Sequence, residues 1–270
     1  MSPPLLSLVT VVRNDVAGLA RTRDSVSRQR FRDFEWIVVD GDSEDGSREF
    51  LEAHRAEIAW GRSAPDDGLY DAMNIGLAAT RGAYVVFLNA GDTLAATDTL
   101  AVFARALAAA GWPDFCYGDS WEGAGAGLLY KPARSHRLAW YGMFTHHQAM
   151  LYLRSALCGL AFDPGYRIGA DYAFTLQALE RSRRILHVPR PFCIFAGGGR
   201  SQRDAAAGRR DQVRIRGDIL NHGFVLRHAV CFVQLLAAAI RKMAPVIFRA
   251  VRCRRVRAIT RYGVGNLVQK

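Results

Sequence analysis

The sequence predicts an α/β fold: a mostly parallel sheet flanked by helices on both faces. Three observations predict it. Several strand-length runs are continuously apolar and rich in β-branched residues, as in strands buried on both sides. These runs alternate with stretches of helical period, the order of βαβ units. Each of them ends in Asp, Asn or Gly, residues that carry a chain out of a strand and into a turn.

Leu5 to Val12 is the first strand, too short to span a bilayer, and Asn14 or Asp15 offers an N-cap for a helix through Arg28. Phe34 to Val39 is a second strand ending in Asp40-Gly41-Asp42-Ser43. Asp45 and Ser47 can then cap a helix with Phe50, Leu51 and Ile58 on one face. A short strand, Ile58 to Trp60, leads to the turn Pro65-Asp66-Asp67-Gly68 and a helix from Tyr70 to Thr80. Tyr84 to Leu88 is a buried strand ending in Asn89-Ala90-Gly91-Asp92, Asp171 to Glu180 is a helix, and Phe192 to Phe195 is strand-like.

Ligands of open parallel sheets sit beyond the carboxyl ends of the strands. Arg13-Asn14, Asp40-Gly41-Asp42, Asp66-Asp67 and Asn89 to Asp92 all fall there. Acids in three of these four connections make a poor phosphate cradle but suit a divalent cation and the donors of a ribose or base. Any one of them alone is ordinary turn chemistry.

The charge divides the chain. Residues 1–200 hold 21 Lys/Arg against 22 Asp/Glu, whereas residues 201–270 hold 15 against 3, and no acid follows Asp218. Two parts are therefore expected: a nearly neutral body over 1–218 and a basic amphipathic helical tail over 219–270. From Phe224 to Val251 apolar residues are broken by cations. At 100° per residue Arg227, Gln234, Arg241, Lys242, Arg249 and Arg252 share one arc, the pattern of a helix lying in a membrane interface, bent at Pro245. The five cysteines are odd in number and widely spaced with no CxxC pair. With no secretory signal pattern at Met1 to Thr10, the expected location is cytoplasmic, peripheral at the inner face of the plasma membrane. Nucleic acid is not an expected partner, because the tail is mostly aliphatic and acids line the cleft.

The motifs resemble those of a known family. Val9-Thr10-Val11-Val12-Arg13-Asn14-Asp15 and Val38-Val39-Asp40-Gly41-Asp42-Ser43 resemble the opening of family 2 glycosyltransferases of the GT-A fold. Pro65-Asp66-Asp67-Gly68-Leu69-Tyr70-Asp71-Ala72-Met73-Asn74-Ile75-Gly76 is close to the family's PDxGxYDAMNxG segment, the most specific match. Phe87 to Asp92 is similar to its metal-binding segment. Thr145-His146-His147-Gln148-Ala149-Met150 and Gly169-Ala170-Asp171-Tyr172 match acceptor-side motifs of the bacterial surface-polysaccharide, colanic-acid-type branch.

The resemblance implies that Asp40 binds the nucleobase of a nucleotide-sugar donor, that Asp66 lies near base or ribose, and that Asn74 lies beside the donor sugar. Asn14, Asp42, Asp71, Asn89 and Gly91 complete that binding set. It further implies that Asp92 holds Mg²⁺ or Mn²⁺ against the diphosphate, and that Asp171 is the base of an inverting transfer. Gly91 departs from members that carry two consecutive acids there, which removes one carboxylate from the cradle.

The chemistry fits these residue types. Negative charge grows on a leaving diphosphate, and a metal ion neutralises it without proton transfer. An attacking hydroxyl on the other face of the sugar needs a general base. Asp171 at a helix start can serve as that base or as a simple N-cap. His147 and Gln148 are candidates to hydrogen-bond acceptor or diphosphate. Adjacent histidines in extended chain diverge, so His146 and His147 are not a chelating pair. Arg200 and Ser201, after the glycine run at Gly197, are candidates for a flap over the diphosphate, and Asp119 is a lesser candidate. The expected acceptor is a lipid-linked or polysaccharide hydroxyl. A non-catalytic sugar- or nucleotide-binding module is the rival reading; it needs neither Asp92 nor Asp171.

Overall fold

The computed structural model describes residues 2–124, 127–198 and 204–243. Its chain divides into two units, 1–220 and 221–270. In the first unit, β1 (Leu6–Val12), β2 (Phe34–Asp40), β3 (Trp60–Ser63) and β4 (Tyr84–Phe87) form a parallel array in the order β3-β2-β1-β4. Helices α1 (Val16–Ser27), α2 (Ser47–Ala53) and α3 (Leu69–Ala78) are the crossovers. The sheet continues beyond β4 through β8 (Met150–Leu153), β6 (Phe115–Ala124), β9 (Ile185–Phe195) and β5 (Thr93–Leu94), with β7 (Gly127–Lys131) paired to β6. Strand β8 runs antiparallel to both neighbours, while β6 and β9 are parallel.

Alternation along the strands builds a core on each face. Val9, Val11, Ile37, Val39, Val85 and Phe87 meet Met73 of α3 and Phe174 of α5 (Ala170–Arg181). Leu8, Trp36, Val38 and Val86 meet Leu19 of α1, Leu51 of α2 and Phe103 of α4 (Thr99–Ala109). A Cβ at Gly76 would lie 2.4 Å from Val9 Cγ1, so the glycine that closes the Tyr70–Gly76 motif lets α3 approach β1.

Local contacts choose between the two caps offered for α1 and shift two boundaries from expectation. Of the two candidate caps of α1, Asp15 is used: its Oδ1 accepts from Gly18 N at 2.8 Å. Helix α2 stops at Ala53, because His54 leaves helical geometry, and Ile58 joins the same core from the approach to β3. Strand β3 starts at Trp60 and extends to Ser63, because its register with Ile37 to Asp40 decides its length.

Helix α6 (Ala205–Asp218) ends the first unit. In the second, α7 (Phe224–Met243) exposes Val225, Phe232, Val233, Leu236, Ile240 and Met243. Among the described residues no helix is long and apolar enough to cross a membrane. The expected continuation of the tail, with its bend at Pro245, lies outside the described residues.

Candidate active site

Because β1 to β4 are parallel, the residues that follow them share one edge of the sheet. Two clusters form there.

The first surrounds the end of β2. Asp40 is fully buried, and its carboxylate accepts from the Ser43 hydroxyl, from Ser43 N at 3.2 Å and from Ser63 Oγ at 2.6 Å. Asn14, at φ 51°, donates its N–H to Ser43 Oγ at 2.7 Å and accepts Glu44 N at 2.9 Å, tying the β1 and β2 exits together. Asp66 closes over Gly41: a Cβ there would lie 2.6 Å from Asp66 Oδ2, while Oδ1 accepts from Gly68 N at 2.9 Å. Asp42 pairs with Arg48 at 2.5 Å, and Asp71 accepts from Asp67 N at 3.1 Å. Asp40, expected to face a nucleobase, thus has both oxygens engaged by serines, and Asp66 is the more open carboxylate beside it.

The second cluster surrounds the end of β4. Gly91 takes φ +91°, a conformation that L side chains rarely adopt. That accounts for the absence of a second acid before Asp92. Thr22 of α1, a residue the sequence did not single out, fixes this turn: Gly91 N donates to Thr22 Oγ1 at 3.1 Å, and that hydroxyl donates to Asp92 O at 2.7 Å.

Asp92 is 4% exposed. Its Oδ1 accepts from Ala196 N at 2.9 Å, just past β9, and its Oδ2 accepts from Gln148 Nε2 at 2.7 Å. Burial pushes the Asp92 carboxyl up to about 6, partly offset by these two hydrogen bonds and by His147. Asn89 Oδ1 is buried nearby in sequence with no hydrogen-bond partner among the described residues.

Gln148 belongs to a 3₁₀ turn, His147–Ala149. Its neighbour His147 points the other way, with Nδ1 3.4 Å from Asp171 Oδ2. His147 Nε2 is buried and also has no partner among the described residues. His146 diverges, contacting Ser120 Oγ and Lys131 Nζ at 3.0 Å each and stacking on Phe195. Consecutive residues of one turn therefore join Asp92 to Asp171.

Asp171 is not the N-cap of α5; that position is Gly169. The amides of Ile168 and Gly169 are taken by Asp211 Oδ2 of α6, at 2.7 and 3.0 Å, and the Asp171 carboxylate is partly exposed. The loop before it is held by α3: Tyr70 OH donates to Ile168 O, and Asn74 bonds both the N–H and the C=O of Phe162, at 2.7 and 2.8 Å. Asn74, expected beside the donor sugar, clamps the loop that precedes Asp171. Tyr70 and Asn74 are four residues apart and share a helix face, which is the signal that could have revealed it. Asp119 lies in a bulge of β6 and is saturated by Ala133 N, His187 Nε2 and Tyr130 OH. It is a structural hub. Arg200 and Ser201 lie outside the described residues.

Among the described residues no three His, Cys, Asp or Glu side chains gather as a metal cage. The donor set at β4 is one carboxylate, Asp92, with the unpartnered amide oxygen of Asn89 close in sequence. That is too little for an all-protein site. It fits Mg²⁺ or Mn²⁺, which are often held by one or two carboxylates and completed by substrate phosphates and water.

A family model described as Glycosyl transferase family 2 matches residues 7–159. An uncharacterized glycosyltransferase of Mycobacterium tuberculosis (strain CDC 1551 / Oshkosh) is 32% identical over 182 residues, 66% of this chain and 70% of that protein. A PGL/p-HBAD biosynthesis glycosyltransferase of Mycobacterium bovis (strain BCG / Pasteur 1173P2) is 29% identical over 205 residues, 70% and 76% of the two chains. Among solved structures, S. aureus TarS 1-349 in complex with UDP-GlcNAc superposes with a TM-score of 0.67 at 18% identity, covering 84% of this chain and 70% of that one. The mannosyltransferase of Pyrobaculum calidifontis in complex with GDP-Man and Mn²⁺ gives 0.61 at 17% identity, covering 97% and 82%. At such identities the structural likeness establishes the fold.

Proposed function

The chain belongs to glycosyltransferase family 2, and on that premise we propose an inverting transfer of a sugar from a nucleotide-sugar donor to an acceptor hydroxyl, with Asp171 as the general base. The body has the GT-A fold of that family. The observation that carries the reading is the connection of two carboxylates, Asp92 and Asp171, through Gln148 and His147 at the carboxyl edge of the sheet.

Asp66 and the β1 and β2 exits would border the nucleoside, leaving the diphosphate toward Asp92. Mg²⁺ or Mn²⁺ bound at Asp92 would supply charge neutralisation for the departing diphosphate. Asp171 would accept the proton of the attacking hydroxyl, and the α3 clamp and Asp211 would keep its loop from drifting. Neighbours solved with UDP-GlcNAc and with GDP-Man and Mn²⁺ support a nucleotide-sugar donor and a metal.

Asp171→Asn in the full chain tests the base. Sugar transfer, or donor hydrolysis with UDP-, GDP- or dTDP-sugars, should fall by about 10²- to 10⁴-fold with donor binding retained. Undiminished turnover would reject the assignment.

The exposed apolar face of α7 and the basic residues around it support peripheral binding at an anionic membrane surface, with a lipid-linked or polysaccharide acceptor. Each cation near such a surface contributes about 1 kcal/mol. Phe232→Asp with Leu236→Asp should abolish co-flotation of the full chain with phosphatidylglycerol vesicles; flotation equal to the parent would overturn this placement.

A further inference from the structure

We propose that His147 is a positioning residue for the base: its Nδ1 orients the Asp171 carboxylate, and the turn it shares with Gln148 sets that carboxylate in register with Asp92. The inference deepens the assignment of Asp171 and rests on it.

Asp171 has little else to fix it. Its Oδ1 accepts from the amide of the next residue, Tyr172, at 2.9 Å, and its Oδ2 has His147 Nδ1 at 3.4 Å. A carboxylate held on one oxygen by its own neighbour can swing about its side-chain bonds, and a displacement of about 1 Å can cost about 10²-fold in rate. The imidazole is far better anchored. Its side chain is 13% exposed, and the turn that bears it is pinned by three bonds. Gln148 Nε2 donates to Asp92 Oδ2 at 2.7 Å, Thr145 Oγ1 to Gly118 O at 2.9 Å, and Ala149 N to His146 O at 2.9 Å.

The ring protonation follows from the buried atoms. A neutral imidazole carries its proton on one nitrogen. A proton on Nε2 would leave a buried N–H without an acceptor among the described residues, whereas a bare Nε2 leaves only a lone pair, the cheaper omission. The proton therefore belongs on Nδ1, the nitrogen that lies 3.4 Å from Asp171 Oδ2.

Two substitutions separate the ring nitrogens. Asn places an amide N–H₂ where Nδ1 stood, and Gln places one where Nε2 stood. In the full chain, with UDP-, GDP- and dTDP-sugar hydrolysis as the assay and Mn²⁺–UDP thermal stabilisation as the binding probe, His147→Gln should lower kcat by about 10²-fold with little change in KM. His147→Asn should recover most of that loss. Independently of turnover, ¹⁵N-histidine spectra should show His147 protonated on Nδ1, and Asp171→Asn should disturb that ring signal. Equal losses in the two variants would overturn the proposal, as would an Nε2-protonated ring unmoved by Asp171→Asn. If Asp171→Asn turns over normally, the base assignment fails, and the ring spectrum still decides whether the contact exists.

Discussion

Both edges of the parallel array bury carboxylates, and two of them, Glu35 and Asp92, are treated oppositely. At the amino edge, Glu35 accepts from Ser7 Oγ at 2.6 Å, from the Arg81 amide at 2.6 Å and Nε at 3.0 Å, and from Gly82 N at 3.1 Å. Burial alone would raise its carboxyl, but these hydrogen bonds outweigh burial and hold it below the usual range. At the carboxyl edge, Asp92 is as little exposed but lies deeper and receives two hydrogen bonds from the described residues, and burial pushes its carboxyl up to about 6. Glu35 is filled by the protein for the protein's own stability. Among the described residues Asp92 has lone pairs left over, and Asn89 Oδ1 and His147 Nε2, which have no partner there, belong to the same edge. A buried acid that the fold leaves under-satisfied marks where a ligand is to complete it.

Substituting each acid sharpens the contrast. Asp92→Asn should cut transfer by about 10²-fold or more, since electrostatic stabilisation of a leaving group is among the largest catalytic terms. Glu35→Ala should leave turnover per folded molecule within about 2-fold while costing roughly 2 to 4 kcal/mol of stability. It takes the acceptor from the buried Ser7 hydroxyl and the Arg81 amide, while Gly82 N keeps Ser7 Oγ at 2.8 Å, and the share of the exposed Arg81 guanidinium is discounted for solvent screening. Urea unfolding alongside the activity assay reads both.

The pH dependence of stability should differ in sign, and here the effects are smaller. Asp92 binds its proton more tightly folded than unfolded. Its contribution is therefore present below the unfolded value of about 3.9 and is lost as pH rises through about 6, an upper bound of about 3 kcal/mol at 1.36 kcal/mol per pH unit. Glu35 does the reverse: its contribution is present above about 4.3 and is lost as pH falls toward its lowered folded value. In chelator, Asp92→Asn should raise Tm at pH 7.5 and gain little at pH 4.5, with Gln148 turning its amide to keep the contact. A gain independent of pH would contradict the burial account.

The parallel half of the fold was legible because β1, β2 and β4 are mostly apolar and β-branched and each crossover has helical period; β3, Trp-Gly-Arg-Ser, was legible only at its start. Strands β6 and β8 were not, and β9 only over Phe192 to Phe195: β6 carries Gly118, Asp119 and Ser120 in its middle, β8 has four residues, and the first part of β9 contains Pro189 and Pro191. In the site, the positions of Asp92 and Asp171 could be read from motif and chain order. The work of Asn74 could not, because its partner Phe162 lies 88 residues away. Asp211 and Tyr70 were hidden for the same reason: local pattern does not report which distant loop a polar side chain will meet. The serines that saturate Asp40 were visible as residues but not as a cage.

The most direct test of the contrast is calorimetric titration of UDP and of GDP, with and without Mn²⁺, into the full chain, Asp92→Asn and Glu35→Gln. The account predicts Mn²⁺-dependent binding of a nucleoside diphosphate to the parent, loss of that Mn²⁺ dependence in Asp92→Asn, and parental affinity in folded Glu35→Gln. Binding by Asp92→Asn that is as Mn²⁺-dependent as the parent's would contradict it.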